Sequence, residues 1–157
     1  MNEVLELLKK KNIEYDIVEH EVVHTIEDMK KIGLLDKGYV LKNLFLRNAS
    51  GKIHYLYSCY HDKDVDLKEF ADKVGSSRLS FASADRLEKY LGLEQGYVSP
   101  LGVINDESQT VIFVFDSEIK NEKKVGVHPN TNKATIYLAI KDIEKIIKEH
   151  GNEIIFI

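Results

Sequence analysis

Leu44-Phe-Leu-Arg-Asn48 and Ile53-His-Tyr-Leu-Tyr-Ser-Cys59 are two strand-like runs joined by Ala49-Ser-Gly-Lys52. The joining segment carries turn chemistry, so the pair predicts a β-hairpin. Upstream of it, Asn2 is placed to cap a helix whose apolar residues Val4, Leu5 and Leu8 recur at helical spacing and whose end carries Lys9, Lys10 and Lys11. Tyr15 to His20 alternates as a strand does, and Thr25 stands as the N-cap of a short helix through Ile26 and Met29 that stops near Gly33. Downstream, Asp66-Leu-Lys-Glu69 has the spacing of a capping box and opens a helix ending at Gly75. Arg78 to Phe81 reads as a short strand, and Ala84 to Leu91 as a helix closed by Gly92. Gln109 to Phe115 is almost continuously apolar, which suits a strand covered on both faces. Lys133 to Ala139 predicts a strand, Ile140 to His150 an amphipathic helix and Glu153 to Ile157 a terminal strand. Hairpin-like strand runs with helices inserted between them predict one α+β domain over residues 1–157, with a largely antiparallel sheet.

The 157 residues suffice for one domain that buries about two-thirds of its unfolded surface. Apolar residues are 43% and charged residues 31%, a globular balance. With 26 acidic and 22 basic side chains the formal charge is -4, which argues against gripping nucleic acid through a broad basic surface and leaves room for a local patch. The single Cys59 excludes an intrachain disulfide framework and a Cys-rich zinc site. No apolar run approaches the ~20 residues of a membrane span, and the first residues lack the pattern of a secretory signal, so a cytoplasmic location is expected.

His20 and His24 are four apart, but on a strand passing into a loop, where the helical H-E-x-x-H geometry for zinc is missing. His54, His61 and His150 read as surface residues. His128 lies in Val125-Gly-Val-His-Pro-Asn-Thr-Asn132, a tight-turn sequence just before a strand, from which it either projects into a cleft or serves the loop. Cys59 sits among aromatic residues as a small buried hydrophobe. Ser99, in Gly96-Tyr-Val-Ser-Pro-Leu-Gly102, is outside any G-x-S-x-G elbow. Covalent catalysis therefore has no good candidate. What remains is a polar set: Lys42 and Asn43 at the mouth of an apolar strand, Ser99 and Gly102 in a Gly/Pro loop, and His128 in a turn. Strand alternation groups Lys42 with Leu44 and Leu46, and Asn43 with Phe45 and Arg47. If the core lies on the leucine side, Lys42 points inward, at a high cost unless it meets an anion or lines a cleft. Otherwise it is a strand-entry lysine just outside the sheet.

Glu19-His-Glu-Val-Val-His-Thr-Ile-Glu27, Leu41-Lys-Asn-Leu-Phe-Leu-Arg47, Gly96-Tyr-Val-Ser-Pro100 and His128-Pro-Asn-Thr-Asn132 together, in this order and spacing, resemble the YbaK/ProX family. These are free-standing relatives of the prolyl-tRNA synthetase editing domain. The resemblance implies a mostly antiparallel sheet curled into a partial barrel with surrounding helices. It also implies hydrolysis of the ester that joins a wrong amino acid to the 3′ end of a tRNA, with no metal, cofactor or covalent intermediate. Leu-Lys-Asn-Leu-Phe-Leu is closer to the branch that removes alanine from proline tRNA than to the cysteine-removing branch. Such an activity answers a physical need. A proline synthetase rejects the smaller alanine only weakly, because a missing methylene is worth about 1–3 kcal/mol, and a second, smaller sieve completes the discrimination.

Carried onto this chain, the resemblance gives Lys42 the terminal phosphate or the ester region and Asn43 the substrate carbonyl or ribose. Backbone amides between Gly96 and Gly102, around Ser99, meet the amino group or the developing oxyanion. His128 and Asn130 line the pocket and position water, and Thr25 and Ile26 are candidate walls. The expected partner is the acceptor end of a mischarged tRNA, with prolyl-tRNA synthetase as a further candidate and neither DNA nor a membrane involved. Lysines around Lys42, with Lys30, Lys31 and the Lys120–Lys124 segment, are expected to make a small RNA footprint. The alternatives are a non-catalytic module that binds tRNA or a synthetase, and the same chemistry on cysteinyl-tRNA.

Overall fold

The computed structural model describes residues 1–157. The hairpin forms as expected, and its first strand is longer than the sequence suggests. β2 (Tyr39–Arg47) pairs antiparallel with β3 (His54–Tyr60) in a register that sets Asn43 opposite Ser58 and Lys42 opposite Cys59. Lys42 and Asn43 are therefore mid-strand residues, not strand-entry ones. Upstream of the polar pair, Leu41 continues the ladder to Tyr60 of β3, while Tyr39 and Val40 pair with Val125 and Gly126.

Around this hairpin runs an open sheet in the order β1-β7-β6-β2-β3-β5-β8, built from β1 (Asp16–Glu19), β7 (Ala134–Leu138), β6 (Val125–Val127), β5 (Ile112–Phe115) and β8 (Ile154–Phe156). A two-residue β4 (Ser80–Phe81) pairs with β2 away from this path. Four of the pairings are antiparallel, while β2–β6, β3–β5 and β5–β8 are parallel. The expectation of an α+β domain with a mostly antiparallel sheet holds. The parallel share comes from crossovers through helices, which local turn signals do not reveal.

On the edge of β2 away from β3, β6 covers Tyr39 and Val40 while β4 covers Leu46 and Arg47. Between those two partners, from Leu41 to Phe45, β2 has no strand neighbour on that edge. β6 is short because Pro129 has no amide hydrogen for a ladder and Asn130 turns the chain with φ 59. Asn43 lies in the middle of the opening.

The two sheet faces bury different cores. Leu41, Phe45 and Leu56 face the larger one, beneath α1 (Asn2–Lys10), α4 (Ala84–Leu91) and α5 (Ile140–His150). Leu46, Tyr55, Tyr57 and Cys59 face the smaller one, under Phe70 and Ala71 of α3 (Leu67–Val74). The capping expectations mostly hold. The Thr25 hydroxyl accepts the Asp28 amide at 3.0 Å and starts α2 (Ile26–Lys31), the Asp66 carboxylate accepts the amides of Lys68 and Glu69, and Gly75 and Gly92 close their helices at φ 70 and 62. Asn2 is a correction: it is the first residue of α1, whose N-cap is Met1 with no side-chain bond. No helix is long and apolar enough to cross a membrane.

Pro100–Asn105, in the Gly/Pro loop, forms a 3₁₀ helix capped by Ser99, whose hydroxyl accepts the Leu101 amide at 3.2 Å. Gly102 is there for packing: a Cβ at this position would sit 2.6 Å from Leu93 Cδ1 and 3.2 Å from Leu91 Cβ. Gly102→Ala is thus expected to destabilise the domain by about 1–3 kcal/mol, visible as an earlier denaturation midpoint, because the buried leucines have little room to yield. An unchanged midpoint would show that the 3₁₀ turn shifts freely.

Candidate active site

Where β6 leaves β2, a small cavity of about 80 Å³ opens, lined by Val23, Met29, Leu34, Val40, Leu41, Gly126, Val127, His128 and Thr135. That is far less than the several hundred Å³ of a typical ligand pocket. Gly126 keeps it open, since a Cβ there would lie 3.0 Å from Tyr137, 3.2 Å from Thr135 and 3.3 Å from Val40.

His128, half-buried, follows β6 directly and forms part of the cavity wall. Its Nδ1 lies 3.2 Å from the Ala134 carbonyl, which only accepts, so Nδ1 carries the hydrogen and Nε2 keeps a free lone pair in the neutral ring. Burial pushes its pKa below the ordinary histidine value, which keeps that lone pair available at neutral pH. Behind it, His20 Nε2 meets the Thr135 hydroxyl at 2.9 Å and His20 Nδ1 meets the Glu21 carbonyl at 2.7 Å. The sequence shows His20 in a four-residue spacing with His24 and in the Glu19–Glu27 family segment, but not its contact with Thr135. Its partnership with Thr135 depends on β1 lying against β7, 115 residues away.

A polar seam is formed by residues outside the cavity lining. Asn43 Oδ1 accepts the Ser58 hydroxyl at 2.6 Å, and Asn43 Nδ2 donates to the Val98 carbonyl at 3.2 Å. Asn130 Nδ2 donates to the Leu101 carbonyl at 3.3 Å, while its Oδ1 is buried with no partner. Gly96 lies against Asn132, whose Nδ2 is 3.9 Å from a Cβ position on the glycine. The structure thus brings Asn43, Asn130 and the Gly96–Gly102 segment together, with His128 two residues from Asn130. Within that segment the amides of Tyr97, Leu101 and Gly102 are already bonded, to Glu94, Ser99 Oγ and Ser99 O. Only Val98, Ser99 and Gly96 remain as amide donors for a ligand. Ser58 escaped the sequence reading, although the hairpin register that puts it under Asn43 was its signal.

Three expected residues stand apart. Lys42 shares the face of Leu44 and Leu46, as alternation requires, which is the side opposite Asn43. Its ammonium donates to the Lys63 carbonyl. Lys63 in turn pairs with Asp116, which also accepts the Tyr57 hydroxyl at 3.1 Å. Against burial, which works upward, the hydrogen bonds from Lys63, the Glu118 amide and Tyr57 hold Asp116 below the usual carboxylate range. Thr25 is exposed and spent on its helix cap, and Ile26 is not among the cavity walls, where Met29, one turn later, stands instead. Burial pushes the Cys59 thiol up to about 11, which removes it as a nucleophile.

Residues 20–146 match the family model of the aminoacyl-tRNA editing domain. The chain belongs to that family. It is 50% identical over 149 residues to the prolyl-tRNA editing protein ProX of Acetoanaerobium sticklandii, covering 95% of this chain and 91% of that one. It is 34% identical to prolyl-tRNA synthetase associated domain-containing protein 1 of Bos taurus over 145 residues, 90% and 84% of the two chains. A solved structure of a candidate trans-editing enzyme for prolyl-tRNA synthetase superposes with a TM-score of 0.71 at 19% identity, covering 98% and 90% of the chains. In this editing domain three of the four family segments quoted from the sequence are linked in space: Asn43 of β2 bonds to Val98 of the Gly96–Pro100 loop, and Asn130 of the His128 turn bonds to Leu101 just after that loop.

Proposed function

We propose that this editing-domain protein is a free-standing deacylase that hydrolyses the ester of alanine mischarged onto proline tRNA. The observation that carries this reading is the cavity of about 80 Å³ beside the neutral His128. A cavity this small favours a methyl group over a proline ring. The ester is already activated, so positioning of water and substrate supplies the catalysis, a contribution of up to ~7–11 kcal/mol. His128 Nε2 accepts a hydrogen bond from the attacking water. The second N–H of Asn43 Nδ2, left free after its bond to Val98, donates to the ester carbonyl as charge develops. Asn130 Oδ1 is the buried acceptor available to the substrate's ammonium group. Lys42 reaches the terminal phosphate only if its side chain leaves the Lys63 carbonyl and turns round the uncovered edge of β2.

None of these steps calls on a metal, and deacylation is expected to survive chelator treatment. The decisive test is a deacylation panel with alanine, cysteine, serine and proline on the same tRNA. Alanine should leave fastest and proline should stay attached. Gly126→Ala, which fills the cavity, should slow alanine release at least tenfold while tRNA binding persists. Ester loss no faster than in buffer would leave the non-catalytic binding reading in its place. Faster release of cysteine would move the substrate preference to that branch.

A further inference from the structure

The tip of the β2–β3 hairpin holds a charged cluster that the deacylase chemistry does not use. Arg47 ends β2 and Arg86 lies on α4, and both guanidinium groups converge on the space left by the missing side chain of Gly51. A Cβ there would stand 2.8 Å from Arg86 Nη2 and 3.2 Å from Arg47 Nη2. Two like charges in such proximity repel unless an anion joins them. Yet neither has a carboxylate partner: all six ion pairs of the chain use lysines. Neutral acceptors hold them in place instead. Arg47 donates to the carbonyls of Asn48 at 3.2 Å and Ala49 at 3.0 Å. Arg86 donates to the Gly51 carbonyl at 2.9 Å and to His54 Nε2 at 3.0 Å. Each guanidinium keeps three of its five N–H donors free.

The surroundings keep the cluster positive. His54 is buried and neutral, so it serves Arg86 as an acceptor, and it stacks between Phe45 at 5.4 Å and Tyr90 at 4.2 Å. Lys52 on the turn and Lys89 on α4 are exposed and make no ion pair, the Lys89 ammonium lying 5.3 Å from the Tyr90 ring centre. The acidic Asp85 and Glu88 are exposed on α4 without an ion pair to either arginine, and the buried Asp106 is bound by Ser108, Asn152 and the amides of Thr110 and Val111. By contrast Lys124, one of the residues expected from sequence to contact RNA, pairs with Asp16 at 2.5 Å.

Arg47 also lies on the same face of β2 as Asn43, four residues further, which is about 13 Å at ~3.3 Å per residue. A stacked nucleic-acid strand rises about 3.4 Å per nucleotide. We propose that Arg47 and Arg86 form a clamp for a backbone phosphate about four nucleotides before the aminoacylated end of the RNA. Paired guanidinium forks match phosphate oxygens in geometry as well as charge. The assignment of RNA as the occupant rests on the deacylase reading above, and it adds an arginine contact to the lysines expected from sequence.

The test compares Arg47→Gln, Arg86→Gln and the double variant on two substrates: alanyl-tRNA and alanyl-adenosine, which has no phosphate. Binding of an uncharged acceptor-stem hairpin with its single-stranded end is followed by fluorescence anisotropy at several salt concentrations. Each single variant should weaken hairpin binding and kcat/KM on alanyl-tRNA by about tenfold or more. Each should also make the salt dependence shallower by roughly 0.7–0.9 per lost contact. Hydrolysis of alanyl-adenosine should not change. Unaltered hairpin binding, or equal loss on both substrates, overturns the clamp. If Arg86→Gln melts for want of a donor to His54, Arg47→Gln decides alone, since only hairpin carbonyls depend on it. Should the unmodified protein hydrolyse neither ester, the deacylase reading fails, while the binding arm still judges the clamp.

Discussion

Asn43→Ala is expected to lower kcat/KM for alanyl-tRNA hydrolysis by about 10²–10³-fold, the usual effect of losing one preorganised donor to a developing oxyanion. The residue sits at the centre of the β2 edge that neither β6 nor β4 covers. Its carboxamide is held at both ends, by the Ser58 hydroxyl at 2.6 Å and the Val98 carbonyl at 3.2 Å, so its remaining N–H points in a fixed direction before substrate arrives. Asn43→Asp keeps the Ser58 contact but sets an anion against the Val98 carbonyl and against the oxyanion, so its loss should be at least as large. Single-turnover deacylation reads the chemistry directly, and a thermal melt separates it from unfolding. A decline under tenfold in a folded Asn43→Ala would remove Asn43 from this role. Lys42→Ala in the same assay bears on the opposite face: activity at the unmodified level would confine Lys42 to bracing the Lys63 carbonyl.

Acidification from about pH 6.5 to 4 should destabilise the fold by about 3 kcal/mol through His54 alone. Burial, followed by the nearby charges of Arg86, Arg47 and Lys89, pushes this histidine down to about 4 from its ordinary 6.5. The folded state therefore binds fewer protons than the unfolded one across that window. Stability is full above pH 6.5, declines as pH falls through the window and levels off below it, at about 1.4 kcal/mol per pH unit. Protonation would also set a cation against the guanidinium of Arg86, which now donates to His54 Nε2. His128, likewise depressed by burial, adds to the decline in the same direction. Denaturant midpoints from pH 7.5 to 4 measure the effect, and His54→Gln, which retains an acceptor for Arg86, should flatten the curve. A midpoint in the unmodified protein that is level between pH 6.5 and 5 would contradict a buried neutral His54.

His54 also shows where local reading stops. In sequence it is one polar residue beside a turn and reads as surface, because its burial comes from Tyr90 and Arg86 on a helix that begins 30 residues later. Lys42 and Asn43 show the opposite. Their assignment to opposite faces follows from the two-residue period of a strand and needs no tertiary information. What sequence could not say was which face leads to the opening.

The hairpin, the helix starts and stops at Thr25, Asp66, Gly75 and Gly92, and the family are legible in the order of residues alone. Those features depend on a few adjacent residues or on motif order. The tertiary structure alone decided that β6 joins β2 in parallel and leaves it after two residues, that Ser58 and Val98 fix Asn43, that Thr135 holds His20, and that Arg47 and Arg86 converge unpaired at Gly51. Each of these rests on pairing between segments distant in the chain. Strand periodicity fixes which face a side chain takes, but only the closing of the sheet determines what it meets there.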